Sequence, residues 1–163
     1  MASLSFMDKD KTKKIYDILI KVAADEGCLA GTSFIYSLNV EGPRAGMLEC
    51  LFGKEGFKLM KVSAKACKHI RAIGCKIPTQ KEMMASSRLT IDDKKDKTED
   101  EMIQDLIDYH EKIIKYLCTD IDTMRDLKEP DCELFLTKTL NCQKKLLTCL
   151  KVLKEKKSAP KSA

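Results

Sequence analysis

Eight cysteines, two histidines and several acids are the side chains of this sequence that could carry chemistry. The cysteines stand at positions 28, 50, 67, 75, 118, 132, 142 and 149, with no Cys-x-x-Cys pair and no neighbouring cluster of histidines. Zinc sites need paired ligands at short spacing, so none is predicted. His69 and His110 lie far apart in the sequence and are interpreted as surface residues. The sequence has no Ser-His-Asp arrangement, phosphate-cradling glycine loop or cofactor fingerprint.

The cysteines are interpreted as buried or ordinary reduced thiols, because several fall where a helix would point an apolar side chain inward. Cys67 lies beside Ile70 and Cys149 beside Leu146 in such patterns, and a free cysteine packs as a small hydrophobe. Structural disulfides or an oxidant-sensing role are the alternatives. No uninterrupted apolar segment precedes Asp8, so we expect no secretory signal and a cytoplasmic location.

Hydrophobic periodicity predicts an all-α domain with four long helices and one short one. The long helices are expected at about 9–38, at 44–73, from 98 or 99 onward and from Pro130 onward, and the short one at 79–88. Gly27 and Gly31 predict a weak point in the first helix, and Gly74 predicts the end of the second. Thr79 and Glu82 have the spacing of a capping box for the short helix.

The long linker between the second and third helices indicates a four-helix bundle with one crossover, which is the connectivity of ferritin-like folds. Residues 1–153 are expected to form this bundle. Residues 154–163 are expected to be a flexible, lysine-rich tail, because Glu-Lys-Lys-Ser-Ala-Pro-Lys-Ser-Ala offers too little apolar surface to fold.

The segment 36–78 carries the most specific pattern. It begins Tyr-Ser-Leu-Asn-Val-Glu-Gly-Pro and ends, after a long helical stretch, in Arg-Ala-Ile-Gly-Cys-Lys-Ile-Pro. This frame resembles the first half of Dps, the ferritin-like protein that cages iron and protects DNA in starved bacteria. The short helix at 79–88 is similar to the one Dps has in its crossover, and 129–147 resembles its last helix. The resemblance implies a homo-oligomeric cage, a dodecamer.

The resemblance also implies five positions for an iron-oxidising site of two histidines and three carboxylates. The histidine positions fall on Ser37 and Glu49, and the carboxylate positions on Gly53, Ala64 and Lys68. The pairs 49/53 and 64/68 lie roughly 20 Å apart along one helix, so such a site needs a two-fold dimer. Only Glu49 offers an oxygen ligand suited to iron. We therefore expect the centre to be lost, with Lys68 pairing with Glu49 across the dimer.

Acids at the junction of the third and fourth helices have two interpretations. Asp120, Asp122 and Asp126 lie where ferritin-like cages line cation pores. The alternative is a solvated loop and helix cap.

The formal net charge of +5 is concentrated at the C-terminus, where five lysines and one glutamate follow residue 150. A flexible basic tail attracts polyanions such as DNA electrostatically. No part of it would contact base edges specifically, so DNA binding would be non-specific. The alternative is that the tail only aids solubility. The lysines predicted to contact DNA are Lys151, Lys154, Lys156, Lys157 and Lys161, with Lys9, Lys11, Lys13 and Lys14 at the other terminus.

These features favour a divergent Dps-like cage that binds and protects DNA and is nucleoid-associated where it does so. Its iron oxidation is lost or weak, no cofactor is certain, and no enzymatic activity is expected. One alternative is a cage that still mineralises iron through pore and interior acids, and a mixed cage with an active sister subunit is also open. Another alternative, from a different class, is a secreted helical bundle stapled by disulfides.

Overall fold

The computed structural model describes residues 8–158, which form an all-α bundle. Its helices are α1 (Lys9–Asn39), α2 (Ala45–Ala72), α3 (Gln80–Ala85), α4 (Glu99–Asp126) and α5 (Pro130–Ser158). α1 packs along α2 and α4 along α5, so two helical hairpins are joined by the crossover at 73–98. This confirms the predicted four-helix bundle with a short helix in its crossover. Within the described residues, no helix combines the length and apolarity needed to cross a bilayer.

Local sequence signals set the ends of the helices. Thr79 and Glu82 form the predicted capping box of α3, and Thr98 and Glu101 form a second one at the start of α4. In each box the threonine hydroxyl and the glutamate carboxylate satisfy backbone N–H groups that the first helical turn leaves without partners. Gly74 follows α2 with φ +83°, the left-handed conformation that commonly ends a helix at glycine.

One continuous apolar core fills the space between the long helices. Fully buried side chains on the four long helices include Leu19, Leu29, Phe52, Leu59, Leu106, Ile113, Leu136 and Leu150. α1 is uninterrupted, so the weak point predicted at Gly27 and Gly31 does not break it. A Cβ on Gly56 of α2 would lie 3.1 Å from the carbonyl oxygen of Ala30 on α1. The two helices therefore pack closely at a glycine, and this packing supports the middle of α1.

The turn between α1 and α2 is held by the first residue of α4. Glu99 accepts hydrogen bonds from the backbone N–H of Arg44 at 2.7 Å and from its Nε at 2.9 Å. Gly42 adopts φ +133°, and a Cβ there would lie 2.7 Å from the Glu99 carboxylate. Only glycine can adopt this left-handed φ without strain and also leave room for the Glu99 carboxylate.

Arg88 anchors the crossover to both hairpins. Its Nε lies 2.8 Å from Oδ2 of Asp25 on α1, and its Nη1 lies 2.9 Å from Oδ2 of Asp120 on α4. The guanidinium also lies over the ring of Tyr116, 4.5 Å from its centroid. The long connection is therefore fixed against the bundle at a charged, largely buried point.

α5 continues to Ser158, beyond the predicted start of the tail at residue 154. Leu153 packs against the core, and the ammonium group of Lys154 donates a hydrogen bond to Gln104 on α4. These contacts hold α5 against the bundle close to the point where the sequence predicted a flexible tail. Lys161 lies outside the described residues.

Candidate functional site

Four buried polar side chains, one from each long helix, meet in the middle of the bundle. Glu26 comes from α1, Glu55 from α2, His110 from α4 and Gln143 from α5. Their exposed fractions are 1%, 3%, 0% and 0%. Because burying an uncompensated polar group is costly, four of them in one core indicate a specific arrangement. We call this set the central network.

The side chains of the central network are hydrogen-bonded in series. Gln143 Nε2 donates to both carboxyl oxygens of Glu26, at 2.9 Å each, and its Oε1 faces Nδ1 of His110. His110 Nε2 lies 3.1 Å from Oε1 of Glu55. The same oxygen accepts a hydrogen bond from the hydroxyl of Ser33 at 2.9 Å. The chain thus runs from α1 through α5 and α4 to α2.

The sequence places these residues inside through their helical register. Glu55 follows the buried Phe52 by three positions, and His110 follows the buried Leu106 by four, so each falls on the core-facing side of its helix. The interpretation of His110 as a surface residue is therefore wrong. Its position between apolar neighbours at helical spacing was the signal that could have revealed it.

Hydrogen bonding favours the doubly protonated form of His110. Both ring nitrogens face acceptor oxygens, and only the imidazolium can donate from both. Burial alone would lower the pKa of His110, but the hydrogen bond and negative charge of Glu55 outweigh it and raise the pKa. Burial raises the pKa of Glu26 to about 8, against the opposing effects of Gln143 and His110. Glu26 is therefore mainly neutral near pH 7, and the upward shift favours the imidazolium form of His110.

The central network does not fit a metal ion as it is arranged. Ferritin-like di-iron proteins direct carboxylates and histidines inward from the helices of a bundle onto shared metal ions. Here Gln143 separates Glu26 from His110, and Oε1 of Glu55 is bound by Ser33 and His110. Among the residues described, no three His, Cys, Asp or Glu side chains are grouped so that they could hold a metal ion. The polar atoms of the network instead form hydrogen bonds with one another and with Ser33.

Comparison with known proteins finds structural likeness without sequence likeness. No family profile and no curated protein matches the chain by sequence. The structure of Dps from Thermosynechococcus elongatus matches with a TM-score of 0.84 at 16% identity, over 88% of this chain and 92% of that one. A Dps protein from Bacillus brevis matches with 0.84 at 14% identity, over 90% and 99%. The Dps protein of Vibrio cholerae O1, a member of a broad superfamily of ferritin-like diiron-carboxylate proteins, matches with 0.83 at 13% identity, over 94% and 98%.

This chain has the fold of the Dps proteins. The likeness covers nearly the whole of both chains, so it extends beyond the segment 36–78 that first suggested Dps.

The five positions that the Dps resemblance assigns to iron lie on α1 and α2. Ser37 is buried, and its hydroxyl donates to the carbonyl oxygen of Phe34 at 2.7 Å. Glu49, Ala64 and Lys68 are exposed, and Gly53 is partly exposed. Within the described chain the only carboxylate among them is Glu49. Its pairing with Lys68 across a dimer stays a prediction.

Exposed apolar side chains lie beside these positions. Phe57 is 63% exposed and Leu38 is 72% exposed. Phe57 packs edge-on against Phe34 of α1, with ring centroids 5.6 Å apart. Phe57 lies one helical turn from Gly53 and two turns from Glu49, on the same side of α2. The α1–α2 face, as we call the exposed surface formed by Phe34, Ile35, Leu38, Phe57 and Met60, therefore adjoins the positions where Dps would bind iron.

The predicted pore acids do not share one environment. Asp120 is buried against Arg88, and burial raises its pKa while Arg88 opposes that shift. Asp122 is exposed and pairs with Arg125 at 3.0 Å, and Asp126 is exposed. Asp120 thus anchors the crossover, and the pore role stays a prediction for Asp120, Asp122 and Asp126.

Two of the predicted DNA-contacting lysines, Lys11 and Lys154, lie at opposite ends of the bundle. Lys11, near the start of α1, pairs with Glu129 in the connection between α4 and α5. Lys154, near the end of α5, bonds Gln104 close to the start of α4. These two lysines therefore do not share one surface of a subunit.

Burial disfavours the reactive thiolate form of three cysteines. All eight cysteines are free. Burial raises the pKa of Cys67, of Cys142 and of Cys132, the last to about 11. Thiols with a raised pKa are poor nucleophiles.

Proposed function

We propose that this protein is the subunit of a Dps-like homo-oligomeric cage that binds DNA non-specifically and does not oxidise iron at a Dps-type centre. The fold carries the first part of this proposal, since the likeness to Dps structures spans 88% to 94% of the chain in the three comparisons above. The side chains at the five iron positions carry the second part.

Assembly is supported by the α1–α2 face. Large apolar side chains grouped on the surface of a folded domain mark an interaction site, and this group is built on two packed helices. A second copy is the partner that the Dps resemblance implies for this surface. A two-fold contact here would bury Phe57 and bring together the iron positions of two subunits.

Loss of iron oxidation is supported by the residues that such a contact would bring together. Two copies would contribute glutamate, lysine, serine, glycine and alanine side chains, whereas iron needs several carboxylate or imidazole ligands. The central network offers no substitute, because its polar atoms bind one another.

DNA binding is supported by the charge at the two termini. Lys9, Lys13, Lys14 and Lys156 are exposed. Each phosphate contact contributes about −0.9 to the slope of the logarithm of the DNA-binding constant against the logarithm of salt concentration. The few lysines of one subunit would therefore bind DNA weakly. Repetition around a cage would raise the effective concentration of basic segments.

Light scattering after size exclusion tests whether the protein forms a cage. We expect a mass near that of a dodecamer, and a stable monomer would contradict the proposal.

Iron oxidation at two Fe(II) per subunit tests the loss of the iron-oxidising centre. We expect slow, non-saturating oxidation, and a fast saturable phase would contradict the loss of the centre. Gel shifts of duplex DNA with the full chain and with a chain lacking residues 154–163 test the role of the tail. Unchanged binding on truncation would contradict it.

A further inference from the structure

A groove between α2 and α5 carries lysines on both sides of an apolar floor. Its volume is about 760 Å³. The floor includes Val62, Ile73 and Phe135, and the rims include Lys58, Lys61, Lys65 and Lys138. Two carboxylates, Glu129 and Asp131, also line it, so lysines outnumber acids by four to two. We call it the α2–α5 groove. None of the roles proposed above uses it.

The α2 rim belongs to a stripe of exposed lysines. Lys54, Lys58, Lys61, Lys65 and Lys68 follow one another at spacings of four and three residues, and all are exposed. Such spacing aligns them on one face of the helix over roughly 21 Å. Like charges at these spacings destabilise a helix, so the stripe opposes the stability of α2 unless an anion lies along it.

The lysines of the groove are not neutralised by the protein. Elsewhere lysines pair with acids, as Lys94 does with Glu101 and Lys151 with Glu111. Glu129 of the groove is paired with Lys11 of α1 rather than with a groove lysine. No ion pair within the described chain involves a lysine of the groove or of the stripe. Of the two glutamates on α2, Glu55 is buried in the central network and only Glu49 is exposed. The surface is therefore available to an external anion.

Lysines from both helices line the groove. Lys58, Lys61 and Lys65 belong to α2, and Lys138 belongs to α5. An anion that lies between the rims can therefore pair with ammonium groups from both helices.

We propose that the α2–α5 groove binds inorganic polyphosphate, a flexible chain of phosphate groups. A chain with closely spaced negative charges can pair with ammonium groups on both rims at once, whereas a DNA duplex, with a persistence length of about 150 bp, is too stiff to follow the groove. Single-stranded nucleic acid has a similar backbone, but its binding relies on exposed rings on which bases stack, and Phe135 of the floor is buried. The proposal requires neither the cage nor the terminal lysines.

Fluorescence anisotropy with the full chain tests the proposal, with labelled polyphosphate, single-stranded oligothymidylate and a DNA duplex as separate probes. The groove variant is Lys58→Glu, Lys65→Glu and Lys138→Glu together. The matched control is Lys81→Glu, Lys95→Glu and Lys115→Glu, which changes the net charge equally at exposed positions outside the groove. Circular dichroism confirms that each variant is folded.

We expect the groove variant to bind polyphosphate at least tenfold more weakly, and the control to stay within about twofold of the unmodified protein. Each phosphate contact on a single strand contributes about −0.7 to the salt slope, so three lost lysines should flatten it by about 2. Oligothymidylate binding that the groove variant leaves unchanged would support polyphosphate as the ligand, whereas an equal loss for oligothymidylate would overturn it in favour of a nucleic-acid backbone. Equal weakening by both variants, no weakening by either, or a groove-dependent loss confined to the duplex would each overturn the proposal.

Lysine acetylation footprinting of the unmodified protein supplies a readout that needs no variant. With polyphosphate present, we expect Lys58, Lys65 and Lys138 to be protected, while Lys81 and Lys115 react as before. Protection spread evenly over both sets would overturn the groove as the site. Because the tail is intact throughout, a failed tail truncation experiment and a failed groove experiment are distinguishable.

Discussion

The amide nitrogen of Gln143 lies 2.9 Å from both carboxyl oxygens of Glu26, across the bundle from α5 to α1. A donor shared by both oxygens holds the carboxyl in place but supplies no positive charge. Burial therefore dominates and raises the pKa of Glu26 to about 8. The protonation of Glu26 therefore depends on the packing of the two helical hairpins, which buries its carboxyl and brings Gln143 to it.

Stability should fall as the pH rises from about 5 to 8. In the unfolded chain Glu26 releases its proton near the ordinary glutamate value of 4.5, whereas in the fold its raised pKa lets it retain the proton until about pH 8. The folded state binds more protons over this range, so the free energy of unfolding decreases with pH. His110 acts in the same direction. Its pKa is lowered by burial but raised overall by Glu55, so its contribution is complete below its unfolded value and is lost as the pH passes the folded value.

Glu26→Gln should remove most of this pH dependence. The substituted amide resembles the neutral carboxyl in shape and cannot ionise, so the variant should match the unmodified protein near pH 5 and exceed its stability near pH 9. Urea unfolding at fixed protein concentration measures the difference, with the exposed Glu155→Gln as control. Equally steep pH profiles for both variants would show that Glu26 is not the titrating group.

His110→Leu should destabilise the fold by about 3–5 kcal/mol, because it leaves the buried Glu55 carboxyl without its imidazole partner. Adding Glu55→Leu should recover part of the loss, since an apolar pair leaves no buried polar group without a hydrogen bond. Thermal and urea unfolding measure both, with the half-exposed His69→Leu as a control expected to cost about 1 kcal/mol or less. A double variant as unstable as the sum of its single variants would contradict coupling between the two residues.

The helices were largely predictable from the sequence, whereas the central network was not. The apolar stripes and the capping residues Thr79 and Glu82 act locally, so their spacing carries the information. Glu55 and His110 are polar residues on core-facing positions, and their partners lie on other helices. A sequence pattern does not reveal which polar side chains find a partner after folding, and it assigns them to the surface. Lys154 is a second example. The sequence predicted a tail from this residue onward, whereas the structure shows it in α5, where it contacts Gln104 of another helix.

Gly42→Ala should destabilise the fold by about 1–3 kcal/mol, the usual cost of a backbone strained into a sparsely populated region. The added Cβ would also lie 2.7 Å from the carboxylate of Glu99. Gly46→Ala is the matched control, because a Cβ there meets nothing within 4 Å and the position is helical. Alanine in a helix is favoured over glycine by roughly 0.5–1 kcal/mol, so the control should be neutral or stabilising. Equal losses in both variants would contradict the special role of Gly42.

Phe57→Glu should break the assembly that we propose while leaving the subunit folded. The side chain is 63% exposed and contacts Phe34 within the α1–α2 face, so a carboxylate there would be buried without a partner in a two-fold contact, at a cost of several kcal/mol. Size exclusion with light scattering should show a smaller species, and circular dichroism should show the same helicity. Met84→Glu is the control, because Met84 is 57% exposed on α3, away from this face. A Phe57→Glu protein with the mass of the unmodified one would place the subunit interface elsewhere, since a new charge at the centre of a buried apolar contact must weaken it.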